Sequence, residues 1–152
     1  MGSPTDLRDM VKRSLVAEVA CKFGQVQLKV TGTSMIPSVW PGDILTVKRS
    51  SAAEVAPGQI ILCYRDQGLV AHRLARKTGN VLITRGDSLP CDDPPFNEDE
   101  LLGRVVSIVR NGRRIDPSRA WWLRAGGWIL RHSQLSTRVL LGLRTRLRAK
   151  TI

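Results

Sequence analysis

Thr31-Gly32-Thr33-Ser34-Met35-Ile36-Pro37, followed by Trp40-Pro41-Gly42-Asp43, presents one serine on a tight turn between two apolar strand candidates, residues 25–30 and 44–49. A serine hydroxyl is a poor nucleophile until a base takes its proton, so such a turn gains chemical meaning only if a base and an orienting acid occur elsewhere in the chain. Both occur downstream. His72 lies in Leu69-Val70-Ala71-His72-Arg73-Leu74, and acids follow in Thr84-Arg85-Gly86-Asp87-Ser88-Leu89-Pro90-Cys91-Asp92-Asp93.

The surrounding pattern is that of an antiparallel β domain. Short runs with strand chemistry occupy residues 25–30, 44–49, 59–65, 69–75, 81–84 and 103–110. They are separated by turn residues, with Asp66-Gln67-Gly68, Thr78-Gly79-Asn80 and Asn111-Gly112 as hairpin turns. Gly42-Asp43 and Pro57-Gly58 read as turns that set strand starts, which gives Asp43 a structural role. Pro94-Pro95 opens a loop or single helical turn that returns the chain to the last long strand. Before the first strand, Leu7, Met10, Val11, Leu15, Val16 and Val19 recur at the period of an amphipathic helix over residues 6–20.

These four blocks resemble the signal peptidase I family, the S24/S26 peptidases, over about residues 28 to 110. The resemblance is to its serine-histidine branch, found in the endoplasmic reticulum, archaea and some bacteria. In that family Ser-Met-x-Pro carries the nucleophile, Gly-Asp closes the next turn, a His-Arg pair carries the base and Thr-Lys-Gly-Asp opens an acidic loop. The commoner bacterial branch has a lysine where His72 stands. The resemblance implies Ser34 as nucleophile, His72 as general base, and a signal-peptidase or repressor-type antiparallel β fold. It puts the triad acid six residues beyond Asp87, at Asp93, with Asp87 as a loop-bracing residue. The proline-containing loop departs from the family's usual Asn-rich form, so Asp92 stays open as the alternative. The Ser34 amide is the natural oxyanion donor, helped by the Thr31 or Thr33 hydroxyl. Lysine-type relatives use a serine two positions before the nucleophile, where this chain has Gly32.

Histidine suits the role because an ordinary imidazole is already mostly neutral at neutral pH, whereas a lysine must be strongly desolvated first. The ring must then be held in one tautomer, which is the task of the carboxylate.

The chain has 152 residues, 42% of them hydrophobic, enough for one domain with a real core. Its longest stretch free of charge, residues 30–42, is broken by Gly32, Pro37 and Pro41 and falls short of the roughly 20 apolar residues that cross a bilayer. The expectation is a cytoplasmic protein without the anchor that signal peptidases usually carry. Three cysteines, Cys21, Cys63 and Cys91, leave an odd thiol and suit a reducing compartment. Their spacing with His72 does not fit a zinc site, so neither a metal nor a cofactor is expected. Cys63 reads as a small buried hydrophobe and Cys91 as a loop residue near the acids.

Charge divides the chain at residue 118. Residues 119–152 hold seven arginines and Lys150 with no acid, contributing +8 of the formal +11, while residues 1–118 form a nearly balanced peptidase-like unit. Arg124, Arg131 and Arg138 share a helical face beside Trp121 and Trp128, which suggests C-terminal basic helices. These either lie on an anionic membrane surface or pack on the β domain. Nucleic acid is disfavoured as a partner, because basic charge alone is not a recognition motif. His132, with no acid beside it, reads as a surface residue.

The expected function is a serine endopeptidase of the signal peptidase type, acting on an extended peptide or leader through a Ser-His-Asp triad. One alternative is a catalytically silent module that keeps the fold and docks a partner or membrane through the tail. Another is a self-cleaving regulator of the repressor type, which the histidine base and the short N-terminal segment both disfavour.

Overall fold

The computed structural model describes residues 4–65 and 68–118. Helix α1 (Pro4–Phe23) leads through Gly24 into strand β1 (Gln25–Lys29), and seven further strands follow. They are β2 (Ile44–Lys48), β3 (Ile60–Arg65), β4 (Gly68–Thr78), β5 (Val81–Arg85), β6 (Phe96–Asn97), β7 (Leu101–Arg110) and β8 (Arg113–Ile115). Every pairing is antiparallel, in the order β1-β2-β7-β3-β4-β5-β6, with β8 added beside β7. The sheet curls into a half-barrel, so the fold is mainly β, as the turn spacing predicts.

At β3 the sheet is buried on both faces, which is why the sequence of that strand is a continuous apolar run rather than an alternating one. Ile60 and Leu62 enter one core cluster with Met35, Val39, Leu45, Val47, Val105 and Ile108. Ile61 and Cys63 enter the other with Ala52, Val55, Leu74, Leu82 and Phe96. Burial of Phe96 also explains β6, a short strand inside the segment that reads as a loop. β8 has no apolar pattern to announce it. It forms because Asn111 and Gly112 both adopt positive φ, at 50° and 75°, and so close the tight turn that folds the chain back on β7.

Helix α1 departs from its expected amphipathic packing. Val16 and Ala20 are buried, but Val11 and Leu15 are 60% and 58% exposed. Glu18 and Lys22 interrupt its apolar residues, and among its described side chains the buried edge is that of Val16 and Ala20. That edge lies against β1 and β4. Among the described residues no helix is long and apolar enough to cross a membrane. The expected basic helices of 119–152, with His132, lie outside the described residues.

All three cysteines are free thiols, with Cys21 and Cys91 exposed and Cys63 buried. Burial pushes the Cys63 thiol up to about 12, so the folded chain keeps it protonated and unreactive. Iodoacetamide applied to the native protein at about pH 8 should therefore modify Cys21 and Cys91 and spare Cys63 until denaturant is added, as read by mass spectrometry. Modification of Cys63 at the rate of Cys91 under native conditions would contradict this packing.

Candidate active site

The turn that carries Ser34 joins β1 to β2. Its neck closes where Val30 N–H donates to Asp43 O at 2.8 Å and Gly42 N–H donates to Val30 O at 2.8 Å. Inside it, Ile36 N–H donates to Thr33 O and Val39 N–H to Met35 O, with a cis bond between Ile36 and Pro37. Met35, Ile36 and Val39 are buried, which anchors the turn by its apolar underside and leaves Ser34 half-exposed above them. Asp43 is buried too. It accepts from Trp40 N–H at 2.8 Å and from Arg110 Nη2 at 2.7 Å, and the same Arg110 nitrogen donates to Ser38 O.

His72 sits on β4 opposite Ile61 of β3, nearly buried at 7% exposure. Its Nε2 lies 2.8 Å from Ser34 Oγ and its Nδ1 lies 2.6 Å from Asp93 Oδ2. An ionised carboxylate can only accept, so Nδ1 carries the proton and the lone pair of Nε2 faces the serine hydroxyl. The same Asp93 oxygen accepts from Thr84 Oγ1 at 2.7 Å, and Asp93 N–H donates to Thr84 O at 2.8 Å. Of the two adjacent acids, Asp93 is therefore the one at His72. Asp92 turns the other way, to Arg76 at 2.7 Å and Arg85 at 3.2 Å.

Asp87 stands outside this line. Arg73 grips it with two parallel bonds, Nε to Oδ1 at 2.7 Å and Nη2 to Oδ2 at 2.6 Å, while Ser38 Oγ donates to the same carboxylate. Arg73 Nη1 also donates to Gly58 O. Asp87 thus ties the Ser34 turn to β4.

Four further residues shape the site. Ser88 donates from both its amide, at 3.0 Å, and its hydroxyl, at 2.9 Å, to Ser34 O. Gly86 makes that approach possible, since a Cβ there would stand 2.6 Å from Ser34 O. Thr33 O is held by Ile36 N–H and lies 3.1 Å from Ser88 Oγ. Because a trans peptide sets N–H opposite C=O, fixing Thr33 O also fixes the direction of the Ser34 N–H. Ser38 and Ser88 carry no signal that separates them from ordinary turn residues, and Thr84 is legible only as the first residue of the Thr84-Arg85-Gly86-Asp87 block. Gly86 was visible only as part of the quoted Thr84-Arg85-Gly86-Asp87 run.

Beside Ser34 and His72 a cleft of about 660 Å³ runs between residues 28–32 and 68–72, floored by Met35, Val39, Leu45 and Leu62. Its walls are strand edges. Leu74 exchanges hydrogen bonds with Gly58 and Gln59, so the even residues of β4 face β3, and Leu69 and Ala71 turn their N–H and C=O to the other side. β5 joins that side only from Arg73 onward. On β1, Gly24 and Val30 bond toward β2, so Gln27 and Lys29 face outward from the end strand of the sheet. Among the described residues no cluster of three or more His, Cys, Asp or Glu side chains could hold a metal ion.

No curated protein matches the chain. The family model described as Peptidase S24-like matches residues 8–106, a span that runs from α1 through Ser34, His72, Asp87 and Asp93 into β7. With about two thirds of its length matched, and with an antiparallel β domain that joins a turn serine to a strand histidine and a loop acid, the chain belongs to the Peptidase S24-like family.

Proposed function

We propose that the protein is a serine endopeptidase of the signal peptidase type, of the branch with histidine as base, acting on an extended peptide or leader. The observation that carries this reading is the continuous line from Ser34 Oγ through His72 to Asp93, at 2.8 and 2.6 Å, opening on a cleft walled by strand edges that are unpaired among the described residues. Ser34 Oγ attacks the scissile carbonyl carbon as its proton passes to His72 Nε2, and Asp93 stabilises the imidazolium that results. The Ser34 N–H faces the oxyanion. His72 then delivers the proton to the leaving amine, and water hydrolyses the acyl-serine by the same base in the reverse roles.

The edges favour a peptide substrate in strand form. An added strand would meet the free backbone groups of Leu69 and Ala71 on one side and of Lys29 on the other. Its alternate side chains would point to the apolar floor, which favours aliphatic residues at every second position.

A fluorophosphonate probe tests the reading most directly. Wild type should be labelled and should cleave unstructured peptides, and Ser34→Ala should do neither while its unfolding midpoint stays within a few degrees. An unlabelled, inactive wild type would leave a binding module in place of an enzyme. Asp93→Asn should lower kcat by about 10⁴-fold, the scale of neutralising a triad acid, and Asp92→Asn should change it by less than about threefold. The opposite ranking would put the orienting acid at Asp92.

The grip on the Ser34 carbonyl gives a second prediction. Gly86→Ala forces a methyl group into that oxygen and should lower kcat by about 100-fold, the cost of displacing a reacting group by about 1 Å. Ser88→Ala removes the hydroxyl but keeps the amide bond, so the loss should be smaller, about tenfold. Steady-state kinetics on one peptide, with equal rates in both variants and wild type as the contrary result, decide the matter.

A further inference from the structure

Asp93 sits on a loop between two prolines, Pro90 and Pro94, with its side chain about one fifth exposed. Two arginines beside the loop, Arg76 on β4 and Arg85 on β5, hold the adjacent Asp92 on the outer side. They attract any carboxylate of this loop outward, away from His72. Besides His72 itself, one buried residue opposes them. Thr84 is 1% exposed, pairs with Leu74 inside the sheet, and takes no part in lining the cleft.

Its main chain sets which acid faces inward. The bond from Asp93 N–H to Thr84 O fixes the loop's register on β5, so that Asp93 points to the interior and Asp92 to the surface. Its side chain then sets the rotation of the carboxylate. With Thr84 Oγ1 at 2.7 Å and His72 Nδ1 at 2.6 Å on the same Oδ2, two donors from different strands converge on one oxygen, and the carboxylate cannot swing without breaking both. The arrangement is reciprocal, because a hydroxyl buried to this degree is costly without an acceptor.

We infer that Thr84 is the positioning residue of the proton relay: its hydroxyl holds the Asp93 carboxylate at the angle that keeps His72 in the Nδ1–H tautomer and aims Nε2 at Ser34. This inference rests on the serine-peptidase reading for its kinetic arm only.

Thr84→Val keeps the shape and the main-chain bond and deletes the hydroxyl, and Thr84→Ser keeps the hydroxyl. In peptide cleavage, Thr84→Val should lower kcat by about 10- to 100-fold, the range for a hydrogen bond to a charged group, with KM unchanged. Thr84→Ser should recover to within about threefold of wild type. In an Asp93→Asn background, Thr84→Val should cost nothing more, because the hydroxyl acts through that carboxylate. Wild-type rates in Thr84→Val, equal losses in the Val and Ser variants, or an undiminished loss in the Asp93→Asn background would each overturn the assignment.

Proton NMR supplies an arm that needs no turnover. The hydrogen-bonded His72 Nδ1 proton, identified by its absence in His72→Gln, should be strongly deshielded in wild type and Thr84→Ser and should move upfield in Thr84→Val. An unmoved resonance would defeat the role of Thr84 even if the protein cleaved nothing, whereas an inactive wild type with the expected shift would defeat only the peptidase reading.

Discussion

The Ser34 turn hangs from one buried serine, Ser38, at which two arginine–carboxylate pairs meet. Its carbonyl accepts from Arg110, which is paired with Asp43, and its hydroxyl lies between Asp87 and Arg73. The two pairs come from different places: Asp43 and Arg110 join the start of β2 to the end of β7, while Arg73 and Asp87 join β4 to the loop after β5. Breaking one partner of a buried pair costs about 3–5 kcal/mol, because the other is left charged and alone. The turn therefore cannot move relative to the sheet without a penalty comparable to much of a small domain's stability.

That constraint lets a weakly structured segment carry a demanding geometry. The turn and the acidic loop after β5 are both irregular, yet each is fixed by donors and acceptors from the other. Ser88 holds Ser34 O, Ser38 contacts Asp87, and Asp93 reaches back to His72 on the strand between them. The backbone of His72 needs no such help, although its ring does. It lies within a strand whose neighbours on one side, from Gly68 to Arg73, are fixed by β3.

How much of this the amino-acid order reveals depends on the range of the interaction. Strands β1 to β5 and β7 are legible from runs with strand chemistry between turn residues, and Ser34 and His72 from short local motifs. The order of adjacent acids is a different matter. Asp92 and Asp93 have the same chemistry and differ only in which side of the loop they take, and that is decided by a backbone bond to Thr84. Ser38 and Ser88 are equally opaque, since a serine in a turn is commonplace and their partners lie 49 and 54 positions away. β8 is too short and too charged to betray itself, and in α1 the period of the apolar residues promises more burial than the sheet delivers, because charged side chains interrupt the same face.

On the proposed reading, the backbone groups of Leu69, Ala71 and Lys29, unpaired among the described residues, impose a filter that comes before any preference for side chains. Residues inside a helix or a complete sheet have already committed their N–H and C=O groups to one another, so they have nothing to offer these edges. Only a stretch released from its own secondary structure, such as a terminus, a linker or a nascent chain, can be zipped in. On the proposed peptidase reading the cleft thus senses whether a polypeptide is folded, and a compact protein carrying an otherwise ideal sequence passes it untouched until that stretch comes loose.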